Sequence, residues 1–185
     1  MQDTEMIDRA QNGDKLAYGE LMDLYYRTIE KFAFQCGVKV DDIQDLTQEV
    51  FIELYRFLPQ FQREQFTTWL YKITLNATRD YYRKEKLEKE ENLKLQDKST
   101  SGVSTRSSQS RVLVFEEDRE LHEAIQLLEE KYRNPIILFY FHELSLEQIG
   151  EILNIPTATV ETRLLSSKEQ LKTALSLKGG AENGR

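Results

Sequence analysis

The sequence predicts an all-α protein of two small helical domains joined by a flexible linker, with a helix-turn-helix in the second domain. Three observations lead to this prediction. Apolar residues recur every three or four positions over most of the 185 residues, as they do along one face of a helix. A Ser/Thr-rich stretch at 99–111 interrupts this pattern. Near the C-terminus, two helical patterns are separated by a tight turn that has its capping residues in place.

Four helices are predicted in the first domain, residues 1–98. A short helix at about 4–12 ends at Gly13, because glycine readily adopts the left-handed conformation of a helix end. Asp14 is the expected cap of the second helix. A third helix is expected at 42–58, and a fourth begins near Thr67 or Thr68 and continues through a charged run. The expected core residues are Ala17, Leu21, Leu24, Tyr25, Thr28, Ile29, Phe32 and Cys36 on the second helix, Ile43, Leu46, Val50, Leu54 and Phe57 on the third, and Leu70, Ile73 and Ala77 on the fourth.

Residues 99–111 contain eight Ser or Thr residues and no acid. Such a segment cannot bury enough surface to offset its ordering entropy, which predicts a flexible linker. The second domain is expected at 112–178, followed by a disordered tail at 179–185. Its first helix has an apolar face of Leu121, Ala124, Ile125 and Leu128. The pair Asn134-Pro135 then predicts the start of a helix over Ile136–His142.

The last two predicted helices form the helix-turn-helix. Ser145 and Gln148 have the spacing of a capping box, in which each side chain bonds the other residue's backbone amide. Asn154 tolerates the left-handed conformation at a helix end, and Pro156 marks the start of the second helix. The core residues of that helix are Val160, Leu164, Leu171 and Leu175. Since this motif commonly places its second helix in the DNA major groove, the second domain is predicted to read DNA.

Composition narrows the function further. No apolar run approaches the roughly 20 residues that span a bilayer, and the acidic N-terminus lacks the features of a signal peptide. One Cys and two His provide no disulfide framework and no cysteine-rich metal site. We therefore expect a cytoplasmic protein with no metal, no cofactor and no membrane insertion of its own. The net charge of −7 disfavours DNA binding by the chain alone, which predicts clustered cations or a larger partner that supplies positive charge.

A second face of the third predicted helix differs from its core face. It carries Asp45, Gln48, Glu49, Ile52 and Arg56. A solvated amphipathic face accounts for this pattern. However, Phe51, Ile52 and Tyr55 make the helix apolar beyond its core stripe, so a partner surface is the alternative.

The fourth predicted helix combines cations with aromatic residues. One stripe carries Trp69, Lys72, Asn76, Arg79 and Arg83, and Phe61 and Phe66 precede it. Cations that follow phosphates and aromatics that stack on bases are the groups that bind single strands, although aromatics at helical spacing are more often core. Asn76 is harder to explain structurally, because Asn is a poor helix former and offers both a donor and an acceptor to a base edge.

Three segments, in order, resemble bacterial RNA polymerase sigma factors of the small, two-domain extracytoplasmic-function (ECF) group. Gly13-Asp14 and Ala17-Tyr18 resemble the start of the family's first domain. Residues 42–51, followed by 68–73 and Asn76, resemble the main region of that domain. Residues 144–153, with Ile155-Pro156 and Thr159-Val160, resemble the helix-turn-helix of the family's second domain.

The resemblance implies a role for each surface. The face with Asp45, Gln48, Glu49 and Ile52 would bind the clamp helices of the largest polymerase subunit. The loop 61–68 and the stripe through Asn76 would capture a flipped base and the separated strand of the −10 element. The final helix would enter the major groove at the −35 element, and the linker would run toward the polymerase active-site cleft. The implied partners are core RNA polymerase, promoter DNA and an anti-sigma factor that binds both domains.

The final helix departs from many relatives at its basic positions. Where those carry a basic residue after Thr-Val and then an Arg-x-Arg pair, this chain has Glu161, Ser166 and Lys168. The residues expected at the −35 element are Thr159, Glu161, Thr162, Arg163, Leu165, Ser166 and Lys168. If these side chains face the bases, Glu161 can accept a hydrogen bond from cytosine N4 and Leu165 can contact a thymine methyl group. Alternatively, Glu161 faces solvent and only weakens binding.

Other functions account for less of the chain. A helix-turn-helix regulator that binds duplex DNA as a dimer without polymerase is the main alternative, but it leaves the Asn76 stripe unexplained. An anti-sigma or adaptor protein leaves the recognition helix unused. An enzyme is the weakest alternative, since the two histidines lie on different predicted helices and no phosphate-binding glycine loop is present. Cys36 lies on an apolar stripe and is expected to be a buried structural thiol.

Overall fold

The structure is a computed structural model that describes residues 2–62, 65–95 and 119–182. In these residues the all-α prediction is confirmed: there are eight α-helices, one 3-10 turn at Leu58–Gln60 and no strand. The helices are α1 Gln2–Gln11, α2 Lys15–Gln35, α3 Val40–Phe57, α4 Phe66–Leu95, α5 Arg119–Gln126, α6 Glu130–Tyr140, α7 Leu146–Leu153 and α8 Thr157–Glu182.

The predicted boundary between α1 and α2 is confirmed. Gly13 has a φ of +90°, a conformation that suits glycine because it has no Cβ. Asp14 then caps α2, and its Oδ1 accepts hydrogen bonds from the amides of Leu16 at 3.0 Å and Ala17 at 3.1 Å. These amides have no partner within the helix, so the cap stabilises its first turn.

Helices α1 to α4 enclose the first core, whose fully buried members include Leu21, Val50 and Leu54. The prediction that Leu24 and Phe57 belong to this core is wrong. The side chains of Leu24 and Phe57 are 49% and 41% exposed. Both lie at the margin of an apolar stripe, where periodicity alone does not decide how far the neighbouring helices extend over the face.

The predicted start of α6 is also wrong. The helix begins at Glu130, and Pro135 lies inside it. Proline has no amide hydrogen, so the Lys131 carbonyl loses its usual helical donor. Burial of the apolar side chains of Pro135, Ile136, Ile137 and Leu138 offsets this loss.

The helix-turn-helix forms as predicted. Ser145 and Gln148 make both bonds of the capping box, at 2.9 and 3.2 Å, and Asn154 is left-handed with φ 53° and ψ 50°. A Cβ on Gly150 would lie 2.9 Å from the Ile155 carbonyl oxygen, so the tight approach of the turn to α7 requires glycine. Residues 179–182, predicted as part of a disordered tail, continue α8 instead, since each added helical residue gains one backbone bond.

A second core joins the two halves of the chain. Phe32 on α2, Cys36 directly after α2, and Tyr71 and Leu75 on α4 belong to the same buried cluster as the apolar residues of the second half. The predicted linker 99–111 lies outside the described residues, and the domain boundaries stay predictions. In the described residues, α4 packs against α7 and α2 against α5.

Candidate nucleic-acid interface

The predicted polymerase-binding residues lie on one exposed face of α3. All five side chains are exposed: Asp45, Gln48, Glu49, Ile52 and Arg56. The Ile52 side chain is 62% exposed, and Tyr55, which sequence reasoning did not include in the site, follows one turn later at 51%. Phe51 is 3% exposed and belongs to the core instead. The face therefore has an apolar centre with charged neighbours, which is typical of a protein-binding surface.

The predicted stripe on α4 is only partly accessible. Asn76, Arg79 and Arg83 are exposed, whereas Trp69 and Lys72 are half-buried. Arg83 forms an ion pair with Asp80 on the same helix at 2.8 Å. Arg79 Nε donates to Glu130 Oε1 at 2.7 Å, so an acid of the second half holds this cation.

The aromatic residues before the stripe form one cluster. Phe61 stacks on Trp69 with ring centroids 4.7 Å apart, and Phe66 meets both rings edge-on at 5.8 Å. Phe66 is 7% exposed, so it lies in the core and cannot stack on a base without movement. Its packing instead orients Phe61 and Trp69, whose half-buried rings remain the candidates for base stacking.

Helix α1 shapes the loop that carries Phe61. Gln11 Nε2 donates to the carbonyl oxygens of Leu58 at 3.0 Å and Phe61 at 2.8 Å. Next to these bonds lies an open cavity of ≈ 410 Å³. Its lining includes Asp3, Asp8, Gln11, Tyr25, Phe61 and Phe66. Sequence reasoning missed Gln11, because its partners lie 47 and 50 positions away and no local pattern indicates such a contact.

Helix α8 has a buried face and an outward face. Val160, Leu164 and Ser167 are buried at 0%, 7% and 0% exposure. The outward residues of the predicted −35 site are Glu161, Thr162, Leu165 and Lys168, all exposed, and Thr159, Arg163 and Ser166 are half-buried. Leu165 is 66% exposed, so its side chain is accessible to a contact outside this chain.

Two outward side chains of α8 are held in place by neighbours. The Thr162 hydroxyl donates to the Ala158 carbonyl oxygen at 3.0 Å. Because that hydrogen is engaged with the helix backbone, the Thr162 methyl group is left as its apolar contact surface. The Lys168 ammonium lies 5.3 Å from the centroid of the Tyr140 ring, within the range of a cation–π contact.

Burial keeps the side chains of Cys36 and His142 in their neutral forms near pH 7. Burial raises the pKa of the Cys36 thiol to about 12, so the thiol is neutral and unreactive near pH 7. Burial, with a smaller effect of Lys31, lowers the pKa of His142 to about 4. Nowhere in residues 2–62, 65–95 and 119–182 do three or more His, Cys, Asp or Glu side chains converge as metal ligands would.

None of the helices in the part of the chain that the structure describes combines the length and the hydropathy that a membrane span needs.

Two family profiles match the chain in order. Residues 21–88 match Sigma-70 region 2, and residues 118–171 match Sigma-70 region 4. The ECF RNA polymerase sigma factor SigW of Bacillus subtilis is 34% identical over 178 residues, covering 91% of this chain and 94% of the relative. The ECF RNA polymerase sigma-E factor of Haemophilus influenzae is 29% identical over 180 residues, covering 94% and 95%.

Solved structures share the fold. CnrH in complex with the cytosolic domain of CnrY aligns with a TM-score of 0.73 at 20% identity, covering 96% of this chain and 99% of that one. The sigma factor RpoE of Bartonella quintana, in complex with the anti-sigma factor NepR, aligns with a TM-score of 0.65 at 19% identity, covering 86% and 96%.

Proposed function

The chain belongs to the ECF group of RNA polymerase sigma factors, and we propose how its surfaces divide the work of promoter recognition. The first domain binds core polymerase through α3 and melts the −10 element with α4 and the preceding loop. The second domain reads the −35 element with α8. The observation that carries the assignment is the order of the two matched regions along the chain. In each region, the helix to which we assign a binding role has exposed polar side chains. Since the polymerase is cytoplasmic, we place the protein in the cytoplasm. We propose that the polymerase, and not this protein, catalyses RNA synthesis.

Run-off transcription tests the function directly. Bacterial core polymerase is supplied with this protein and with DNA fragments from upstream of its own gene. Defined transcripts that require both components support the sigma-factor function. Tight binding of those fragments without polymerase, and no transcript with it, would support a helix-turn-helix regulator instead.

Asn76 tests the −10 assignment. Its exposed amide lies near the middle of the stripe, where it can bond a base edge. We expect Asn76→Ala to reduce transcription from duplex promoters and to recover on templates whose −10 segment is already mismatched and open. Gln170→Ala, an exposed change on α8, is the control. Equal loss on duplex and open templates would contradict a role in strand opening.

The α3 face is tested by its apolar centre. Ile52 is 62% exposed, and Leu16 on α2 is exposed to a similar degree at 78%. Ile52→Glu places a charge where the polymerase would bury an apolar group, so we expect it to abolish co-elution with core polymerase. Leu16→Glu makes the same chemical change away from α3 and should leave co-elution unchanged. Retained binding by Ile52→Glu would remove this face from the polymerase interface.

Glu161 tests the −35 specificity. It is exposed on the outward face of α8 together with Leu165, and a carboxylate can accept a bond from cytosine N4. We propose that these two residues read bases, whereas Arg163 and Lys168 contact phosphates. Selection of promoters from a library randomised at the −35 element should give a different preferred sequence for Glu161→Arg. An unchanged preference would mean that Glu161 only faces solvent.

An anti-sigma factor is the proposed inhibitory partner. Membership in the ECF group supports it, as does the solved complex of RpoE with the anti-sigma factor NepR. Co-purification with the products of genes adjacent to its own tests this partner. An inhibitor found there should suppress run-off transcription when added in equimolar amount.

A further inference from the structure

Helix α1 is not among the helices to which a binding surface is assigned above. It comprises Gln2–Gln11 and lies outside the two matched regions, 21–88 and 118–171. Its last residue nevertheless bonds the turn that leads into the strand-binding loop, residues 61–68. Gln11 Nε2 donates to the carbonyl oxygens of Leu58 at 3.0 Å and Phe61 at 2.8 Å. Both hydrogens of this amide are therefore used to hold the turn.

The helix gives Gln11 a fixed position from which to hold the turn. Ile7 and Ala10 anchor α1 in the first core, at 8% and 6% exposure. Near the end of the helix, Arg9 donates to the Asp14 carboxylate at 2.7 Å, which joins α1 to the cap of α2. The Gln11 side chain is half-buried, so its two hydrogen bonds are stronger than they would be in water.

The held turn places the Phe61 ring at the wall of a cavity. Phe61 and Gln11 both line the open cavity of ≈ 410 Å³ next to α1. Asp3 and Asp8 of α1 line it as well, and their carboxylates can accept hydrogen bonds from the edge of a base. Proteins bind an extruded base in this way, by stacking against aromatic rings and by hydrogen bonds to its edge. The cavity therefore has the groups that a single unstacked base requires.

The position of Phe61 matters because a movable ring binds a base less tightly than a fixed one. Within the turn, the Phe61 amide donates to the Leu58 carbonyl oxygen at 3.1 Å, which is a local bond. The two bonds from Gln11 connect this turn to a helix about 50 positions earlier in the chain. If the turn moved freely, the cost of ordering it would be subtracted from the free energy of base binding. The apparent affinity would fall with the fraction of molecules that hold the ring in place.

We propose that Gln11 is a positioning residue for promoter opening. It holds the turn from Leu58 to Phe61 so that the Phe61 ring is already in place to receive an unstacked base of the −10 strand. Helix α1 is thereby part of the −10 binding site. This inference rests on the proposed function, because that function brings the −10 strand to the loop. Gln11 acts through Phe61 and has no need to contact DNA itself.

The position of the Phe61 ring can be measured without DNA or polymerase. Trp69 is the only tryptophan in the sequence, and Phe61 stacks on it with ring centroids 4.7 Å apart. Quenching of Trp69 fluorescence by acrylamide therefore reports how far the Phe61 ring covers the indole. We expect Gln11→Ala to raise the quenching constant toward the value of Phe61→Ala. Gln11→Met, which keeps a long side chain but has no donor, should do the same.

Asn12→Ala is the matched control. Asn12 Nδ2 donates to the Asp8 carbonyl oxygen at 2.8 Å, so this variant removes an amide that bonds the end of α1 rather than the turn. We expect it to leave both Trp69 quenching and transcription unchanged. A change in Trp69 quenching that Asn12→Ala shared with Gln11→Ala would mean that any weakening of the end of α1 moves the ring, and would contradict a specific role of Gln11.

Transcription measures whether the position of the ring affects promoter opening. Holoenzyme assembled from core polymerase and this protein is titrated on the duplex fragment from upstream of its own gene. Gln11→Ala should raise the holoenzyme concentration for half-maximal transcript about tenfold, an effect that two ordinary hydrogen bonds can supply. The double variant Gln11→Ala/Phe61→Ala should lose no more than Phe61→Ala alone, because Gln11 acts through the ring. A purely structural role would lower activity by the same factor in both backgrounds.

Two further results would overturn the inference. One is unchanged Trp69 quenching in Gln11→Ala and Gln11→Met, with circular dichroism spectra that show both variants to be folded. The other is transcription that Gln11→Ala leaves unchanged, or lowers equally with and without the Phe61 ring. Absence of transcripts with the unaltered protein would count against the proposed function instead. In that case the quenching measurement still decides whether Gln11 positions the loop, so the two failures are distinguishable.

Discussion

The buried imidazole of His142 predicts a pH dependence of stability that can be worked out from the structure. Its pKa is lowered from 6.5 to about 4 by burial and, to a smaller extent, by Lys31. Tyr71 and Gln35, the groups that face its two nitrogens, bear no charge. A base with a lowered pKa stabilises the folded state fully above its ordinary pKa, and stability falls as the pH drops from about 6.5 toward 4.

The size of the effect follows from the two protonation equilibria. At about pH 5.5 an unfolded histidine is protonated about ten to one, whereas folded His142 stays almost entirely neutral. This tenfold excess of protonated over neutral histidine in the unfolded state lowers the free energy of unfolding by about 1 kcal/mol relative to pH 7.5. For a chain of this size that is a decrease in Tm of about 2–4 °C.

Thermal unfolding at pH 7.5, 6.5 and 5.5, at constant ionic strength, measures this decrease. The chain has only two histidines, so few other side chains titrate in this window. We expect His142→Gln to lose about 1 kcal/mol of the pH dependence. His122→Gln is the control, because burial also lowers the pKa of His122 and this variant removes only that share. Identical pH profiles for the unaltered protein and His142→Gln would show that the imidazole titrates freely and would refute the buried contact.

Three further experiments test single features of the fold. Ser145→Ala removes the capping box and should lower the free energy of unfolding by about 1 kcal/mol in urea titrations, whereas the exposed mid-helix Ser176→Ala should not; equal midpoints would contradict the cap. Tyr18→Phe removes a buried hydroxyl that donates to the Phe51 carbonyl oxygen and should cost about 0.5–1.5 kcal/mol in the same assay, so an unchanged midpoint would mean that the bond contributes nothing. Ile149→Ala, at 0% exposure, should cost about 2–5 kcal/mol. Leu165→Ala, at 66% exposure, should change stability by less than about 0.5 kcal/mol yet reduce transcription that depends on the −35 element. If Leu165→Ala lowered stability and Ile149→Ala did not, the assignment of Ile149 to the core and Leu165 to the surface would be contradicted.

Local signals in the sequence were predictive because the groups involved are close along the chain. Asp14 bonds amides two and three residues away, and Ser145 and Gln148 bond each other across three residues. The left-handed residues at Gly13 and Asn154 depend on the chemistry of single residues. These features identify the end of α1, the start of α2 and both ends of α7 without reference to the rest of the molecule.

The exposure of the candidate-site residues was predictable for a different reason. A helix shows its outward residues through periodicity, so Glu49, Ile52 and Asn76 were placed on exposed faces from spacing alone. Spacing does not show how far a neighbour covers the margin of a face. Phe66 is therefore core rather than a surface aromatic, and Arg79 is engaged by Glu130. The start of α6 likewise depended on burial of the apolar residues from Pro135 to Leu138, which outweighed a common local signal.

The sequence by itself determined which segments are helical, the caps of α2 and α7, the helix-turn-helix and the family, since each of these depends on residue types at short fixed spacings. Only the tertiary structure decided which stripes are covered and how the halves meet. His142 and Gln35 lie 107 positions apart, and Gln11 and Phe61 lie 50 apart. Such contacts form because packing brings distant surfaces together, and no periodicity in the chain records which surfaces those are.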